Sequence, residues 1–393
     1  MTIASPQPMR PVSKGERIDI LDILRGFAIF GILAVNIYGM SSPNFLPGYV
    51  EPEWPWYDEL AKTLMLFFTE GKFYVIFSFL FGLGFSVQLA RAETKGADVR
   101  SFYPRRLWIL FGFGLLHAAL FFVGDILRHY ALFGFALLAF RKGTDRTLLV
   151  WAGIFFVIGF LFLGLLGGPA GSGGELPEGM PDIIAQSRQV YNSDSFLSVV
   201  LFQIFGGIFS FFIIGLTQGG TVMALFLMGL LVGRAKFFEK LSENRDLLQK
   251  IALWGLLAGL VFNALFVFVE DAWLSSLGFA LGSPVLSAAY VSGLCLLSLT
   301  AFGAKLLAPI GKVGRMALSN YIAHSVICSF IFNGYGLGMF EQIGPAGLWG
   351  IVFGIYLVQI PISAWWLSRF QFGPLEWVWR SLTYKQRQPF KIQ

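Results

Sequence analysis

Charged residues are scarce in this sequence, where they make up 13% of 393 residues. A soluble domain carries about 25% charged residues, so the composition excludes an ordinary soluble domain. Hydrophobic residues make up 56% of the chain, including 43 Phe and 11 Trp. This balance is typical of a protein whose solvent is largely lipid.

Cysteine is scarce too, and both Cys295 and Cys328 lie within apolar runs. Two cysteines in such positions exclude a disulfide framework, and neither thiol has other metal-ligating residues beside it in the sequence. The first 17 residues are polar and contain several prolines, so they lack the apolar core of a cleavable signal peptide. A net charge of +6 is modest. In a membrane protein such a charge reflects which loops are cytoplasmic more than it indicates binding to nucleic acid.

Long apolar runs are what the sequence does contain. A helix needs about 20 apolar residues to cross the bilayer core. Runs of that kind lie near 23–40, 69–90, 107–123, 126–140, 148–166, 211–233, 251–269, 284–302, 316–336 and 346–367. The sequence therefore predicts an all-α integral membrane protein, a polytopic bundle of about ten transmembrane helices, with eleven as the alternative.

The loop charges predict the orientation of the bundle. Basic residues precede the first run, lie between the second and third runs, and follow the last run, whereas the loop at 51–59 is acidic. Since basic loops stay in the cytoplasm, we expect a multi-pass membrane protein with both termini inside. The predicted parts are a disordered cytoplasmic N-terminus (1–16), a single transmembrane domain (17–385) and a cytoplasmic tail (386–393).

One stretch does not fit a simple alternation of helices. Residues 196–233 form a long apolar run that Thr217-Gln218-Gly219-Gly220 interrupts. Two crossings there would place the basic residues at 234–250 outside. We therefore predict a re-entrant or interfacial segment from Phe196 to about Ser210, followed by one crossing.

Three arginines stand at the predicted cytoplasmic ends of helices. Arg25 follows Asp22 by three residues and shares its helix face. Arg106 precedes the third run, and Arg315 stands at the start of the ninth, where helix amides favour anions. Either these residues anchor the helices at the inner interface, or they bind an anionic group such as a phosphate.

Two of the three histidines lie around one predicted outside hairpin. His117 precedes Asp125 by about two helical turns, and Arg128 and His129 follow. A carboxylate that orients an imidazole suits it for general base work, so His117 and Asp125 are the candidate catalytic residues. The alternative is a hydrogen-bonded histidine that joins helices. Metal binding needs at least three well-placed ligands and is not expected.

Further polar side chains fall within or beside apolar runs, where each needs a partner or a purpose. Asn36 lies about three turns beyond Arg25, and Asn320 and His324 share a helix face. Such side chains either join helices or line a substrate path. The candidate substrate contacts are Asn36, Glu70, Lys72, Arg128, His129, Asn320 and His324. The nearby glycines Gly82 and Gly84 predict close helix packing, because no strand precedes them as a phosphate loop requires.

These residues belong to longer strings that span almost the whole chain. The strings include Leu24-Arg25-Gly26-Phe27, Glu70-Gly71-Lys72-Phe73, Gly124-Asp125-Ile126-Leu127, Gly314-Arg315-Met316-Ala317 and Gly373-Pro374-Leu375-Glu376. With them the chain resembles the YeiB-type family of bacterial membrane proteins, which carry domain of unknown function 418. Its first helix also resembles that of transmembrane acyltransferases such as heparan-α-glucosaminide N-acetyltransferase, in which an Arg-Gly precedes an Asn by eleven residues.

The distant resemblance implies transfer of an acyl group from cytoplasmic acyl-CoA to an acceptor across the membrane. Those enzymes have a catalytic His shortly after the Asn, but residues 38–56 contain none here. His117 with Asp125 would replace it, and Arg25, Arg106 and Arg315 would bind acyl-CoA as a cosubstrate, with no tightly bound cofactor. We expect membrane lipids as partners and no nucleic acid. The sequence does not decide between a monomer and a homodimer. The alternative function is a transporter or lipid-handling protein.

Overall fold

The computed structural model describes residues 18–44, 46–166 and 179–392. The predicted disordered N-terminus at 1–16 lies outside these residues. The described part is helical and contains no β-strand. Its α-helices are α1 Asp19–Ser41, α2 Trp56–Phe68, α3 Lys72–Thr94, α4 Tyr103–Leu120, α5 Leu127–Ala139, α6 Asp145–Leu166, α7 Met180–Tyr191, α8 Phe196–Arg234, α9 Arg245–Phe268, α10 Ala272–Ser298, α11 Ala301–Arg315, α12 Ala317–Phe332, α13 Pro345–Leu367 and α14 Pro374–Tyr384.

Seven helical stretches in the described part are long and apolar enough to cross a membrane. They are α1, α2 together with α3, α6, α8, α9, α10 and α13, and α12 is a shorter apolar helix. The predicted all-α membrane fold is thus confirmed, whereas about ten crossings and their orientation stay predictions. Few residues of α6, α8 and α9 are buried, as expected for helices that face lipid.

The predicted re-entrant segment is wrong, whereas an interfacial position for residues 196–210 stays a prediction. Helix α8 runs without a break through 39 residues, about 58 Å at 1.5 Å per residue. The Thr217 hydroxyl donates to the Ile213 carbonyl inside the helix. A Cβ at Gly220 would overlap with the Phe155 carbonyl of α6. The small residues therefore let α6 approach α8 closely, and they do not interrupt it.

Several helices were not expected from apolar runs. Helix α2 occupies part of the predicted acidic outside loop and ends at Phe68. Gly71, whose φ of 82° is left-handed, directly precedes α3. The α2 residue Asp58 links the helix to α13. Its carboxylate accepts the Ala346 amide in the first turn of α13, where a helix favours negative charge. The amphipathic helices α7 and α11 lack a long apolar run and give no membrane-helix signal.

Helices α3 and α8 pack closely beside the cavity described below. A Cβ at Gly82 would overlap with the Phe226 carbonyl, and one at Gly229 with the Phe79 carbonyl. The packing role predicted for Gly82 is therefore confirmed. Gly84 differs, because a Cβ there would meet no atom within 4 Å.

Three side chains from predicted outside loops lie together at one end of the bundle. We call the end of the bundle that carries Arg25 the inner end and the end that carries Glu341 the outer end. At the outer end Glu341 accepts hydrogen bonds from Tyr49 and Arg188, both from predicted outside loops. At the inner end the tail packs back on the chain, since the Gln371 amide donates to the Phe390 carbonyl. That the inner end faces the cytoplasm stays a prediction.

Candidate functional site

Residues of α1, α3, α4, α5, α11, α12 and α14 line a cavity of about 290 Å³ at the inner end, which we call the inner cavity. Arg315 is the last residue of α11, so the prediction that it begins the next helix is wrong. Ligand pockets span about 300–1,000 Å³, so the space suits an acyl chain or a pantetheine arm better than a whole nucleotide. Its polar lining includes Asp22, Arg25, Gln88, Arg106, Arg315 and Glu376. The three arginines predicted to bind an anion, far apart in sequence, therefore line one space.

Packing orients two of these arginines. The Arg25 guanidinium donates to the Asp22 carboxylate over 2.7 Å. The Arg106 guanidinium stacks on the Trp379 ring, 3.7 Å from its centroid, and the Trp379 indole donates to the Arg106 carbonyl. With Arg380 of α14, the arginines outnumber the two carboxylates of the lining, so the inner cavity favours an anion.

A carboxylate of α14 caps helix α12 at the mouth of the inner cavity. The Glu376 side chain accepts the amides of Leu318 and Ser319 and the Ser319 hydroxyl. Burial raises the pKa of the Glu376 carboxyl, and the hydrogen bonds from Ser319 and Leu318 oppose this. These α12 amides were expected to bind a ligand anion beside Arg315. That expectation is wrong, because Glu376 already occupies them.

The deeper wall of the inner cavity is apolar. Its lining there includes Ile29, Ile32, Phe77, Leu80, Leu110 and Leu127. At this depth the Tyr321 side chain also lines the cavity, and its ring centroid lies 4.8 Å from that of His117. An elongated ligand with an anionic head and an apolar tail would thus point its tail towards His117.

His117 lies at the centre of a buried polar cluster, by which we mean His117, Asp125, Arg128 and Ser325. Its Nδ1 lies 2.8 Å from Asp125 Oδ2, and its Nε2 lies 2.8 Å from Ser325 Oγ. The side chains of His117 and Asp125 have no exposed surface. The proximity of His117 and Asp125 that the hairpin suggested is therefore real in this fold.

Arg128 balances the charge of Asp125. The Arg128 amide donates to Asp125 Oδ1 over 3.0 Å, and its Nε lies 3.5 Å from the same oxygen. The guanidinium also donates to the carbonyls of Gly207 and Val123. His129 packs on the Phe211 ring, and its Nε2 lies 2.8 Å from the Phe211 carbonyl. Both residues tie α5 to α8, and neither lines the inner cavity.

A second, smaller space lies beyond the polar cluster on the outer side, which we call the outer crevice. It measures about 10 Å³, about enough for one water molecule. Its lining includes Phe121, Tyr191, Gln203, Ser329 and Asn333. Phe121 and Ser329 each lie one helical turn beyond His117 and Ser325. The polar cluster therefore lies between the inner cavity and the outer crevice.

Asn320 and His324 lie between helices and do not line the inner cavity. The Asn320 amide donates to Ser363 of α13 and to the Val313 carbonyl. His324 Nε2 lies 2.6 Å from Gln359 Oε1. These contacts join α12 to α13 and α11 and match the helix-joining alternative. That the two residues also contact substrate stays a prediction.

The remaining predicted contacts lie apart from the cluster. Asn36 is partly buried in α1 and lines neither space. Lys72 is fully buried at the start of α3, where its ammonium donates to the Leu66 carbonyl over 3.2 Å and faces the Phe266 ring. Glu70 lies just before it, in the break between α2 and α3.

Sequence reasoning missed Ser325, Tyr321 and Glu376 as site residues. No feature of the sequence distinguishes Ser325 from the other serines of the apolar runs, because its partner comes from α4. Tyr321 and Ser325 are four residues apart and share a helix face, which is the one signal that could have joined them. In the described residues, no three His, Cys, Asp or Glu side chains cluster so as to hold a metal ion.

Comparisons with known proteins identify relatives over nearly the whole chain. The family model "Protein of unknown function (DUF418)" matches residues 232–386. The "Uncharacterized protein YxaH" of Bacillus subtilis (strain 168) is 33% identical, over 97% of this chain and 98% of its own. An "Uncharacterized 39.9 kDa protein in amylase 3'region" of Bacillus acidopullulyticus is 32% identical, over 98% and 99%. The "Uncharacterized protein YeiB" of Escherichia coli (strain K12) is 27% identical, over 95% and 98%.

Proposed function

Since the chain belongs to the DUF418 family of YeiB-like proteins, whose members share no stated activity, we propose a function from the chemistry of its own site. The protein acts as a transmembrane acyltransferase, which moves an acyl group from cytoplasmic acyl-CoA to an extracytoplasmic or lipid acceptor. The inner end faces the cytoplasm of a bacterial inner membrane in this proposal, as the basic loops indicate.

One observation carries the proposal. Arg25, Arg106 and Arg315 line the same cavity as Tyr321, whose ring contacts His117. The phosphates of acyl-CoA match guanidinium groups, and its acyl chain matches the apolar wall. The ligand that fits both ends of the inner cavity would bring its reactive carbonyl towards the buried imidazole.

The residues divide the chemical work as follows. The arginines bind the donor and thereby fix the position of its thioester. His117 accepts the proton of the attacking hydroxyl or amine, and Asp125 holds the imidazole and supports its positive charge once it is protonated. Arg128 keeps the buried Asp125 carboxylate paired, which lowers the cost of burying that charge.

The alternative is a lipid-handling protein or transporter, because a phospholipid also joins a phosphate to apolar chains. Transport would have gained support from a broken helix at the membrane centre. Helix α8 is continuous where that break was expected. The cluster of His117, Asp125 and Arg128 favours chemistry, since it holds an imidazole oriented by a paired carboxylate beside the inner cavity.

The test is acyl transfer by the purified protein in lipid nanodiscs. With radiolabelled acetyl-CoA or palmitoyl-CoA, we expect release of coenzyme A and labelled lipid or sugar product. His117→Ala should reduce the rate by at least about 100-fold, the lower range for a general base. Asn263→Ala, which changes a buried polar residue of α9 outside both spaces, should retain the wild-type rate. The absence of coenzyme A release and labelled product across lipid and sugar acceptors would count decisively against the proposal.

A further inference from the structure

Ser325, His117 and Asp125 form a continuous hydrogen-bonded chain. Ser325 Oγ lies 2.8 Å from His117 Nε2, and Asp125 Oδ2 lies 2.8 Å from His117 Nδ1. The second Asp125 oxygen accepts the Arg128 amide, which fixes the carboxylate. All three side chains are buried, so water does not compete for these bonds.

The order of the atoms determines where the protons lie. A carboxylate at Nδ1 selects the tautomer with its proton on that nitrogen. His117 Nε2 is then an acceptor, and the Ser325 hydroxyl donates to it. A base that holds a serine hydroxyl and is itself oriented by a carboxylate is the arrangement that activates a serine nucleophile, and it is recognised by geometry on unrelated folds. We infer that Ser325 is the nucleophile that carries the acyl group.

The position of Ser325 explains how it could serve two substrates from opposite sides. Tyr321, Ser325 and Ser329 follow one another at four-residue intervals along one face of α12. Tyr321 lines the inner cavity and Ser329 lines the outer crevice. Ser325 therefore lies between the two spaces, and the inference places the donor on its inner side and the acceptor on its outer side, where the crevice of about 10 Å³ must widen to admit the acceptor.

The reaction that follows is balanced and needs no further reagent. Ser325 Oγ attacks the thioester carbon while its proton passes to His117 Nε2, and the carbon–sulfur bond breaks. The coenzyme A thiolate leaves with that proton, and the acyl group remains on Ser325 as an ester. An acceptor hydroxyl then gives its proton to His117 and attacks the ester, and Ser325 Oγ leaves and regains a proton.

Tyr321 can assist at the carbonyl oxygen. Its hydroxyl is buried and lies near the Ile126 backbone, and within the described residues it has no other hydrogen-bond partner. Because its ring lies beside that of His117 and also borders the inner cavity, the hydroxyl can donate to the oxygen that becomes negative when Ser325 attacks.

The inference deepens the proposed acyl transfer and rests on it. Two measurements distinguish a failure of the inference from a failure of the proposed function. The first is exchange of labelled coenzyme A into acyl-CoA without an acceptor, which requires an acyl-enzyme. We expect exchange in the wild-type protein and a loss of at least about 100-fold in Ser325→Ala and His117→Ala. Ser325→Cys should keep measurable exchange, because a thiol can take the place of the hydroxyl, and Ser292→Ala, on α10, should exchange normally.

The second measurement is labelling by an alkyl fluorophosphonate, followed by peptide mass spectrometry. We expect the label on Ser325, and its loss in Ser325→Ala and His117→Ala. Labelling of Ser325 without any acyl-CoA turnover would support Ser325 as a nucleophile and exclude acyl-CoA as its donor. Acyl transfer at the wild-type rate by Ser325→Ala would overturn the inference and leave the proposed function standing. A folded wild-type protein that neither labels nor exchanges would overturn it as well.

Discussion

The rings of Tyr321 and His117 lie with their centroids 4.8 Å apart, although the two residues come from helices α12 and α4. Tyr321 is also part of the apolar wall of the inner cavity. The imidazole itself lines neither the inner cavity nor the outer crevice. Tyr321 is therefore the contact through which a ligand in the inner cavity would meet the polar cluster.

Tyr321→Phe should separate the chemical role of Tyr321 from its packing role. The ring remains and only the hydroxyl is lost, so the fold and donor binding should be unchanged. If the hydroxyl donates to the developing oxyanion, kcat should fall by about 100-fold, as for the removal of one such donor. Steady-state kinetics checks this, with coenzyme A binding as the control. A lowered affinity with unchanged kcat would assign Tyr321 to packing alone.

Removing an arginine from the inner cavity should weaken donor binding. A charged hydrogen bond contributes roughly 1.5–3 kcal/mol, so Arg25→Ala or Arg315→Ala should raise the Kd of coenzyme A at least about tenfold. The loss should shrink at high salt, where surface charges are screened. Arg188→Ala is the matched control, since Arg188 pairs with Glu341 at the outer end. Isothermal titration calorimetry checks the effect, and equal losses in the control would contradict it.

Filling the inner cavity should block donor binding without harming the fold. Gly84 lines the cavity, and a Cβ there would meet no atom within 4 Å. Gly84→Leu should therefore place its side chain in the cavity and raise the Kd at least about tenfold, while helix propensity raises stability slightly. Gly112→Leu makes the same change at an open position of α4 outside the lining. Unchanged binding in Gly84→Leu would show that the donor binds elsewhere.

The pH dependence of donor binding should show the effect of the Glu376 charge on the donor. Its carboxylate repels an anionic donor, and burial raises its pKa above the ordinary value, which is about 4.3. As the pH falls, Glu376 is protonated earlier than an exposed glutamate, and the repulsion is lost. Glu376→Gln lacks this charge at every pH. The ratio of the wild-type Kd to the Glu376→Gln Kd should be largest at high pH and approach one as the pH falls.

Calorimetric titrations at several pH values check this ratio. The comparison cancels the titration of the coenzyme A phosphates, because both proteins bind the same ligand. The glutamine can still accept the Leu318 and Ser319 amides that Glu376 accepts, so the start of α12 should be preserved. A ratio that does not change with pH would exclude Glu376 from the binding site.

The apolar runs predicted most of the helices, because the length of a crossing is fixed by the bilayer. His117 and Asp125 were found together because one short hairpin connects them. Thr217 and the following glycines misled the prediction for α8. Residues that interrupt an apolar run in sequence can pack against another helix in three dimensions, as Gly220 does against α6.

The rest of the site depends on contacts between distant segments. Ser325 meets His117 over a separation of 208 residues, and Glu376 caps α12 from another helix. Neither pairing has a local pattern. Polar side chains such as Asn320 and His324 carry the same sequence signal as site residues, since helix-joining and ligand-binding groups are equally unusual in lipid.

The most direct test is an experimental structure of the protein with a non-hydrolysable thioether analogue of acyl-CoA. We expect its phosphates within hydrogen-bond distance of Arg25, Arg106 or Arg315. Its acyl chain should pass Tyr321 and bring the atom that replaces the carbonyl to within about 3–3.5 Å of Ser325 Oγ, as a near-attack geometry requires. The account would be contradicted if, at a saturating concentration of the analogue, a phospholipid still occupied the inner cavity with its phosphate on the arginines.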